Sequence, residues 1–336
     1  MVEISYARSR AIRPARAQSK INDIFEDFLT KSNSAHTRDA YRRDLKKFLT
    51  FLKGFESFGG LSDVSQRHIS AYRDYLLKKE ELKDATVARH LSSIKRFFDF
   101  LVEKELCYKN PATGVFRPKV VMEVKTNDLS ASEVMDLFES VTQTNRDGSD
   151  NLSGVLHYTV LKVMFYTLLR KSELIALKVG DFASDNIGNY LHVRSKGGKK
   201  QKVYISDETF NDIKHYMDVF SSRREFHETE PLFTSGRKSS VLRPLNRNTI
   251  DQIFQKYAKL AGIKHRISPH SSRATGIGNL YENGASLEDQ ATYARHSDPR
   301  MTFLYNKRRK EKINEIANIV NYLDRPDENG NEEASS

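Results

Sequence analysis

Cysteine is nearly absent from this chain, which has Cys107 alone among its 336 residues. One cysteine cannot form an intrachain disulfide, and it cannot supply the ligands of a cysteine-rich zinc site. An isolated cysteine is more often a small buried apolar residue than a nucleophile. The sequence is therefore typical of a protein that folds in a reducing compartment, and the cytoplasm is the predicted location.

Long apolar runs are missing as well. No stretch of 18 apolar residues occurs, so the sequence predicts no membrane-spanning helix and no membrane partner. The first residues lack the apolar centre of a secretory signal, and no internal repeat is present. The length predicts one large domain or two of ordinary size, with enough apolar residues for a packed core.

Acidic residues are fewer than basic ones, 44 against 55, which leaves a net charge of +11. Five of the acids lie in residues 324–336 beside a single arginine, so the rest of the chain carries +15. A basic body of this size favours a polyanionic partner, most commonly nucleic acid, and a merely soluble basic protein is the alternative. Residues 326–336 are predicted to be a disordered acidic tail.

The first sixteen residues form a separate basic segment with four arginines and one glutamate. We interpret residues 1–16 as a flexible arm that touches DNA. An organelle transit peptide and a leader without a role are the alternatives.

Residues 17–110 are predicted to form a helical domain. Apolar residues recur there at the 3.6-residue period, around Phe25 and again over 41–52. Asp63 is predicted to cap a third helix, and a fourth should run over about 84–106. Several polar faces of these helices are basic, which favours DNA binding over plain solvation. The candidate DNA-binding residues in this domain are Arg42, Arg43, Arg89, Lys95 and Arg96.

A break in the helical pattern separates two predicted domains. Residues 111–128 contain Pro111, Gly114 and Pro118, and we predict a linker there. Ser130 and Glu133 have the spacing of a capping box, so a new helix should begin at this point. The second domain is predicted over residues 129–325.

The second domain mixes helices with a few strands. A strongly apolar helical segment is predicted over roughly 152–177, followed by short strands at 190–193 and 203–205. A hairpin turn with a Gly-Gly tip should join the strands. Further helices are expected at about 207–220, 247–261, 270–281 and 287–293. The predicted fold class is therefore mainly α with a small antiparallel β-sheet (α+β).

Six residues of the second domain carry the candidate chemistry. The first precedes a Ser-Glu-Leu triplet, the second lies in the hairpin turn, and the third and fourth form a His-x-x-Arg pair. A lone His-x-x-Arg occurs by chance about once in a basic chain of this size, whereas the ordered set of six is specific. In chain order they are Arg170, Lys196, His270, Arg273, His296 and Tyr305.

In these residues the chain resembles the tyrosine recombinases, also called the phage integrase family. The family pattern is an arginine followed by Ser-Glu-Leu, a lysine in a β-hairpin, His-x-x-Arg, a later histidine and a tyrosine nine residues on. The resemblance extends from about residue 19 to about residue 323. It implies a helical core DNA-binding domain and a catalytic domain that form a C-shaped clamp on duplex DNA. It also implies site-specific recombination, without cofactor or metal, through a covalent 3′-phosphotyrosine and a Holliday junction.

The resemblance assigns phosphate binding to Arg170 and Arg273. Their planar guanidinium groups match the non-bridging oxygens of a phosphodiester and can stabilise the charge of a five-coordinate transition state. Glu173 is expected to orient Arg170, as structural support. The alternative for Arg170 is a capping role for carbonyl groups at the end of the apolar helix.

The resemblance assigns the proton and bond chemistry to the other four residues. Tyr305, one of 15 tyrosines, would be the nucleophile that forms the covalent intermediate. Lys196 would be the general acid that protonates the leaving 5′-oxygen. His270 and His296 would hold the phosphate and assist proton movement.

Neighbouring residues provide alternatives. Lys199, Lys200 and Lys202 are further candidates for the general acid, and the first two are also candidate DNA-binding residues. His265 and His270 have a spacing found in metal pairs, but no acid or cysteine at ligand spacing accompanies them. We therefore predict no metal site.

The chain departs from the family pattern at two positions. Many members have Leu-Gly-His before the later histidine, and here the triplet is Ala294-Arg295-His296. Arg295 is expected to add charge beside the site and to alter phosphate contacts. Ala274 follows Arg273 where many members have another histidine or arginine.

An apolar stripe at helical spacing follows the tyrosine. The resemblance implies that it docks on a neighbouring protomer, which would give a homotetramer on DNA, and packing on its own domain is the alternative. Accessory proteins are further candidate partners. A type IB topoisomerase and a non-catalytic DNA-binding or architectural protein are the alternative functions. The predicted location is the cytoplasm, with nucleoid association when DNA is bound. The stripe consists of Ile313, Ile316, Ala317, Val320 and Leu323.

Overall fold

The chain divides into two compact units, Met1–Met122 and Glu123–Ser336. The structure is a computed structural model. It describes residues 23–32, 34–55, 59–120, 126–194, 198–222, 224–234, 243–296, 298 and 300–305, with the backbone alone at 304 and 305. The predicted arm over 1–16 and the tail over 326–336 lie outside the described residues, so these two boundaries stay predictions.

The described part of the first unit is helical. Helix α1 covers residues 23–30, and α2 (Ala35–Leu52) begins at Ser34, whose hydroxyl accepts from the Thr37 amide. A 3₁₀ turn (Leu61–Asp63) leads to α3 (Gln66–Lys78), and α4 spans Asp84–Glu103. The predicted cap at Asp63 is wrong. Ser65 caps α3 instead, because its backbone amide donates to His68 Nδ1 within a reciprocal capping box.

The fourth helix is also shorter than predicted. Glu105 adopts a left-handed φ of 57°, and the Leu106 amide donates to the Leu101 carbonyl at 2.8 Å. This arrangement satisfies a free carbonyl at the helix end and turns the chain away. The helix therefore ends at Glu103.

Apolar faces of α2, α3 and α4 form the core of the first unit. Phe48, Tyr72 and Ile94 are fully buried in it. One carboxylate, Asp44, is also buried, and it accepts hydrogen bonds from Arg89 and from Ser93. A buried carboxylate is costly unless it accepts hydrogen bonds, so Arg89 and Ser93 help to stabilise the helix bundle.

The second unit opens with the predicted capping box. The Ser130 hydroxyl accepts from the Glu133 amide, and α5 spans Ala131–Glu139. Helix α6 (Leu152–Thr167) is buried on nearly every side, and α7 spans Lys171–Ala176. The prediction of one helical segment over 152–177 is wrong, because Leu168 takes a left-handed conformation and interrupts it.

A small antiparallel sheet follows in the order β1-β2-β3. Its strands are β1 (Phe182–Ser184), β2 (Asn189–Arg194) and β3 (Lys200–Tyr204). Leu191 pairs with Val203, and Arg194 pairs with Lys200 at the end of the ladder. The predicted hairpin therefore joins β2 and β3, whereas β1 was not predicted from the sequence.

Five further helices of the described chain follow, and two of them, at 207–221 and 269–282, pack against the apolar helix α6. The five are α8 (Asp207–Ser221), α9 (Arg247–Leu260), α10 (Pro269–Glu282), α11 (Leu287–Tyr293) and α12 (Arg300–Tyr305). The predicted class, mainly α with a small antiparallel sheet, is confirmed. Among the described residues, no helix combines the length and apolarity needed to span a bilayer.

Candidate active site

Arg170 begins a helix instead of ending one. It is the N-cap residue of α7, and its backbone amide donates to Glu173 Oε2 at 2.8 Å. Its guanidinium Nη1 donates to the other carboxylate oxygen, Oε1, at 2.7 Å. Glu173 is buried, so one carboxylate holds both the backbone and the side chain of Arg170. The alternative of an arginine that caps the carbonyls of the apolar helix does not fit this placement.

Arg273 is buried in α10 and reaches two segments that are distant in sequence. Its Nη1 donates to the Leu168 carbonyl and its Nη2 to the Ala294 carbonyl. Its Nε donates to His296 Nε2 at 3.3 Å. The side chain therefore connects the turn before Arg170 with the segment that carries His296.

The two arginines predicted to bind phosphate meet at one place. Arg170 Nη2 donates to the Arg295 carbonyl at 3.1 Å, while Arg273 donates to the carbonyl of the preceding residue, Ala294. The Arg170 side chain is 36% exposed, so solvent and an anionic ligand can reach it. Arg273 is 2% exposed, and its nitrogens already donate to the two carbonyls and to His296, so Arg170 is the more accessible guanidinium of the pair.

Close packing of α10 against the turn before Arg170 depends on Gly276. A β-carbon at that position would overlap the Leu168 side chain and would lie 3.2 Å from the Phe165 carbonyl oxygen. Glycine thus allows Leu168 to pack directly on α10, where it is buried with Ile277. This contact helps to fix the turn from which Arg170 extends.

His296 is held between an arginine and a threonine. Because its Nε2 accepts from Arg273, its Nδ1 carries the proton of the neutral ring and lies 2.8 Å from Thr302 Oγ1. Burial, and then the charges of Arg273 and Arg170, lower the pKa of His296 to about 4. The ring is therefore neutral at pH 7 before a phosphate arrives.

His270 lies in the first turn of α10, three residues before Arg273 and thus on the same face of the helix. Burial, followed by the charges of Lys171, Arg273 and Arg170, lowers its pKa. The Asp251 carboxylate acts in the opposite direction on this pKa but does not outweigh the cations. An arriving anion would raise the pKa of such a histidine.

Two predicted residues are not fully described. Lys196 lies outside the described residues, and Tyr305 is described by its backbone alone, as the last residue of α12. Positions 302 and 305 are three apart on that helix and share a face. Thr302 is buried and contacts His296, so the helix that carries Tyr305 is attached to the site.

The described start of β3 and the residue before it share a cavity with Arg295. Lys199 and Lys202 line a cavity of 670 Å³ together with Tyr293 and Arg295. Lys202 donates to Asp185 at 2.6 Å, so its ammonium is engaged by a carboxylate. Lys199 and Lys200 are exposed, as expected for residues that contact DNA.

Three predicted DNA-binding residues of the first unit have carboxylate partners. Arg42 lies 3.0 Å from Glu26, and Lys95 lies 2.8 Å from Asp99. Arg89 pairs with the buried Asp44 and thereby stabilises the helix bundle. The pairs with Glu26 and Asp44 join separate helices and leave no local signal in the sequence, whereas Lys95 and Asp99 are four residues apart on one helix.

Arg43 lines a basic surface cavity of 580 Å³ on the first unit. Lys46, Lys47, Thr50 and the aromatic residues Phe51 and Tyr75 also line it. Lys47 pairs with Glu80 at 2.6 Å. Arg96 is exposed on α4.

Sequence reasoning missed two residues of the site and expected a different role for a third. Lys171 pairs with Asp251 at 2.6 Å, and its charge lowers the pKa of His270. Thr302 contacts His296. Arg295 was expected at the phosphate, but its guanidinium is turned inward onto backbone carbonyls. No motif marks Lys171 or Thr302, and only their contacts reveal them.

The histidine pair considered for a metal has a different setting. His265 Nδ1 lies 3.4 Å from Glu133, at the start of α5. Among the described residues, no group of three or more histidine, cysteine, aspartate and glutamate side chains could hold a metal ion.

Comparison with known proteins identifies the family. The phage integrase family model matches residues 128–312, and the model of the phage integrase N-terminal SAM-like domain matches residues 23–105. A tyrosine recombinase of Pseudothermotoga lettingae is 29% identical over 290 residues, which cover 85% of this chain and 93% of that protein. The chain belongs to the phage integrase family.

Solved structures share the fold. The XerH site-specific recombinase bound to a palindromic difH substrate, in a post-cleavage complex, matches with a TM-score of 0.69 and 15% identity. This match covers 90% of the chain and 84% of XerH. A lambda integrase tetramer bound to a Holliday junction matches with a TM-score of 0.62 and 16% identity, over 87% and 77% of the two chains.

Proposed function

We propose that this protein is a site-specific tyrosine recombinase, which cleaves and rejoins DNA through a covalent 3′-phosphotyrosine and a Holliday junction. The observation that carries the proposal is the pair of guanidinium groups of Arg170 and Arg273, held on the consecutive carbonyls of residues 294 and 295. Family membership supports the same conclusion. The enzyme would act on cytoplasmic, nucleoid-associated DNA.

In this proposal the two arginines bind the non-bridging oxygens of the scissile phosphate. They stabilise the additional negative charge of the five-coordinate transition state. For this step Arg273 would exchange one of its present acceptors, the Leu168 or the Ala294 carbonyl, for a phosphate oxygen. Tyr305 attacks the phosphorus and forms the phosphotyrosine, while the 5′-oxygen leaves. The free energy of the broken bond is retained in the new ester, so a second 5′-hydroxyl can reverse the step.

His296 and His270 enter this scheme as neutral rings beside cations. The low pKa of His296, about 4, results mainly from burial and then from Arg273 and Arg170. A bound phosphate would offset the two positive charges and raise the pKa of both rings. Each ring could then donate a hydrogen bond to a phosphate oxygen or transfer a proton.

Lys196 is our proposed general acid for the leaving oxygen. The hairpin that carries it borders the cavity lined by Lys199 and Arg295. Of the alternatives, Lys202 is engaged by Asp185 at 2.6 Å, which raises the pKa of Lys202 and makes it a poorer acid. Lys199 and Lys200 are proposed to contact the DNA backbone.

DNA contacts of the first unit are proposed for Arg43 and Arg96. The cavity that Arg43 shares with Lys46 combines positive charge with the aromatic ring of Phe51, as is common in surfaces that bind a polyanion. Arg42, Arg89 and Lys95 have carboxylate partners, and their further role in DNA binding would require exchange of those partners.

Assembly of a homotetramer on recombination-site DNA is proposed to use the C-terminal apolar stripe. The second unit has an apolar groove of 350 Å³ at the ends of α5, α6 and α10. Met135 in this groove is 62% exposed, and Tyr166 is 46% exposed. Exposed apolar patches of this kind commonly mark contact sites, so the stripe of a neighbouring protomer is the proposed occupant. Accessory proteins are proposed as further partners.

The test is covalent trapping. The purified chain is incubated with fragmented genomic DNA from its source and denatured, and protein–DNA adducts are isolated. We expect Tyr305→Phe to bind DNA but to form no adduct. Tyr108→Phe is the matched control, since Tyr108 is fully exposed in the first unit and should leave adduct formation unchanged. Adduct formation by Tyr305→Phe would contradict the assignment.

Sequencing the trapped DNA maps the target site. A plasmid with two copies of that site then distinguishes the remaining functions. Recombinant products support the proposal, relaxation without recombination indicates a type IB topoisomerase, and binding without adducts indicates an architectural protein.

A further inference from the structure

The carbonyl groups at the end of α6 are satisfied by distant side chains. A helix leaves its last four carbonyls without intrahelical partners. Here the Tyr166 carbonyl accepts from the Tyr293 hydroxyl at 2.7 Å, and the Thr167 and Leu168 carbonyls accept from Arg295 at 3.1 and 2.9 Å. The turn before Arg170 is thus held by residues more than a hundred positions further along the chain.

Arg295 occupies a backbone conformation that favours glycine. Its φ is 53°, in the left-handed region, where a β-carbon is unfavourable. A side chain that persists in such a conformation suggests a function supported by the surrounding structure. The Arg295 side chain is only 4% exposed, and its guanidinium Nη1 also donates to the Tyr293 carbonyl at 2.8 Å.

Arg295 contacts both halves of the proposed active site. Its Nη2 lies 3.4 Å from Glu173 Oε2, the oxygen that also accepts the Arg170 backbone amide. Its own carbonyl accepts from Arg170 Nη2 at 3.1 Å. Its C-terminal neighbour is His296, which contacts Arg273. A single residue therefore joins the segment of Arg170 to the segment of His296.

We propose that Arg295 is a positioning residue, which sets the distance between the phosphate-binding groups of Arg170 and those of Arg273 and His296. The inference rests on the proposed function of this site. Arg295 itself would not touch the phosphate, because its guanidinium donates to backbone carbonyls. Its guanidinium clamps the carbonyls of the α6 end, so that the two cationic groups meet one phosphate in the geometry of the transition state.

A positioning residue affects the rate of the chemical step, whereas a residue that only stabilises the fold affects the free energy of unfolding. Displacement of a catalytic group by about 1 Å can lower a rate by about 100-fold. We therefore expect Arg295→Met to slow covalent adduct formation at saturating DNA by roughly 10- to 100-fold, since the Arg295 side chain shares Glu173 with Arg170 and the Leu168 carbonyl with Arg273. DNA affinity should change little, because most phosphate contacts lie elsewhere.

Arg224 supplies a matched control in the same unit. Its side chain is also 4% exposed, donates to the Pro231 carbonyl at 3.2 Å and pairs with Glu230 at 3.3 Å. Arg224→Met removes an equally buried guanidinium from carbonyl partners that belong to no part of the proposed site. Arg295→Lys is the conservative variant, and it should recover part of the rate because an ammonium can still donate to the carbonyls.

The experiment uses the full chain and a nicked duplex bearing the mapped site. Single-turnover adduct formation is measured against DNA concentration, which separates the maximal rate from the half-saturating concentration. Thermal unfolding of each variant sets a temperature at which all are folded. If Arg295→Met does not fold, Arg295→Gly replaces it, because glycine accepts the left-handed φ.

We expect a lowered maximal rate in Arg295→Met, a wild-type rate in Arg224→Met and an intermediate rate in Arg295→Lys. A wild-type maximal rate in Arg295→Met, or equal losses in both methionine variants, would overturn the inference and leave the proposed function intact. A wild-type chain without a Tyr305-dependent adduct would overturn the proposed function and this inference with it.

Discussion

Replacement of Glu173 by alanine tests how the buried charges of the site are balanced. The Glu173 carboxylate is buried and lies 2.7 Å from Arg170 Nη1 and 3.4 Å from Arg295 Nη2. Burial raises the pKa of Glu173, and Arg295 and Arg170 outweigh that effect, so the group stays ionised. Glu173→Ala removes the negative charge and leaves two cations behind.

The loss of stability in Glu173→Ala depends on how far water can solvate the two remaining cations. Arg170 is 36% exposed, so water can solvate it, whereas Arg295 is 4% exposed and would remain charged in the interior. Loss of one partner of a buried ion pair costs about 3–5 kcal/mol. For a unit of this size that corresponds to a fall in Tm of roughly 6–20 °C.

Calorimetry of the full chain measures this effect, because the two units can unfold in separate transitions. Glu173→Gln retains a hydrogen-bond acceptor and should have an intermediate Tm. Glu225→Gln is the control, since the Glu225 carboxylate is 88% exposed and its loss should leave Tm unchanged. A Glu173→Ala chain with a wild-type Tm would show that Arg295 does not depend on this carboxylate, and the reasoning would be wrong.

Three further outcomes are expected. Gly276→Ala should destabilise the second unit by about 1–3 kcal/mol and slow adduct formation, because its β-carbon overlaps Leu168; denaturant unfolding and trapping measure both. The free energy of unfolding should fall as pH drops from 6.5 towards 4, since His157 and His296 have a pKa of about 4 in the folded chain and unfolding takes up their protons. DNA affinity should fall steeply with salt, and Arg43→Gln should reduce the slope by about 1.

Each outcome has a control. Gly148→Ala adds a β-carbon that meets nothing within 4 Å, although at a left-handed φ, and should leave adduct formation unchanged. His157→Gln should reduce the fall in the free energy of unfolding between pH 6.5 and pH 4. A fall equal to that of the wild type would contradict the low pKa of His157. Arg42→Gln should alter the salt slope less than Arg43→Gln, since Glu26 already engages Arg42. Equal effects of these two variants would argue against the proposed DNA surface.

Local signals explain which elements could be predicted. The capping box of Ser130 and Glu133 and the helical periods depend on residues a few positions apart, so the sequence indicates them directly. The end of α6 has no such signal. Leucine favours helix, yet Leu168 leaves it, and the carbonyl of Leu168 accepts from Arg273, which is 105 residues further along the chain. A contact of that range is invisible to a local pattern.

The features of the candidate site also fall into two groups, those that the sequence predicts and those that depend on tertiary contacts. The order of its six candidate residues could be read from the sequence, as could the partnership of Glu173 with Arg170, which are three apart. The inward direction of Arg295 and the contact of Thr302 with His296 could not, because both depend on packing between separate helices.

The sequence by itself determined the chemical groups available, their order, the basic charge and the helical character of the chain. These properties reside in residue types and short spacings. Only the tertiary structure decided which cations reach the segment that ends in His296 and which are paired with carboxylates on other helices. The physical reason is burial. A guanidinium group excluded from water is costly unless it donates to carbonyls or pairs with a carboxylate, and the fold determines which of these acceptors lie within hydrogen-bonding distance.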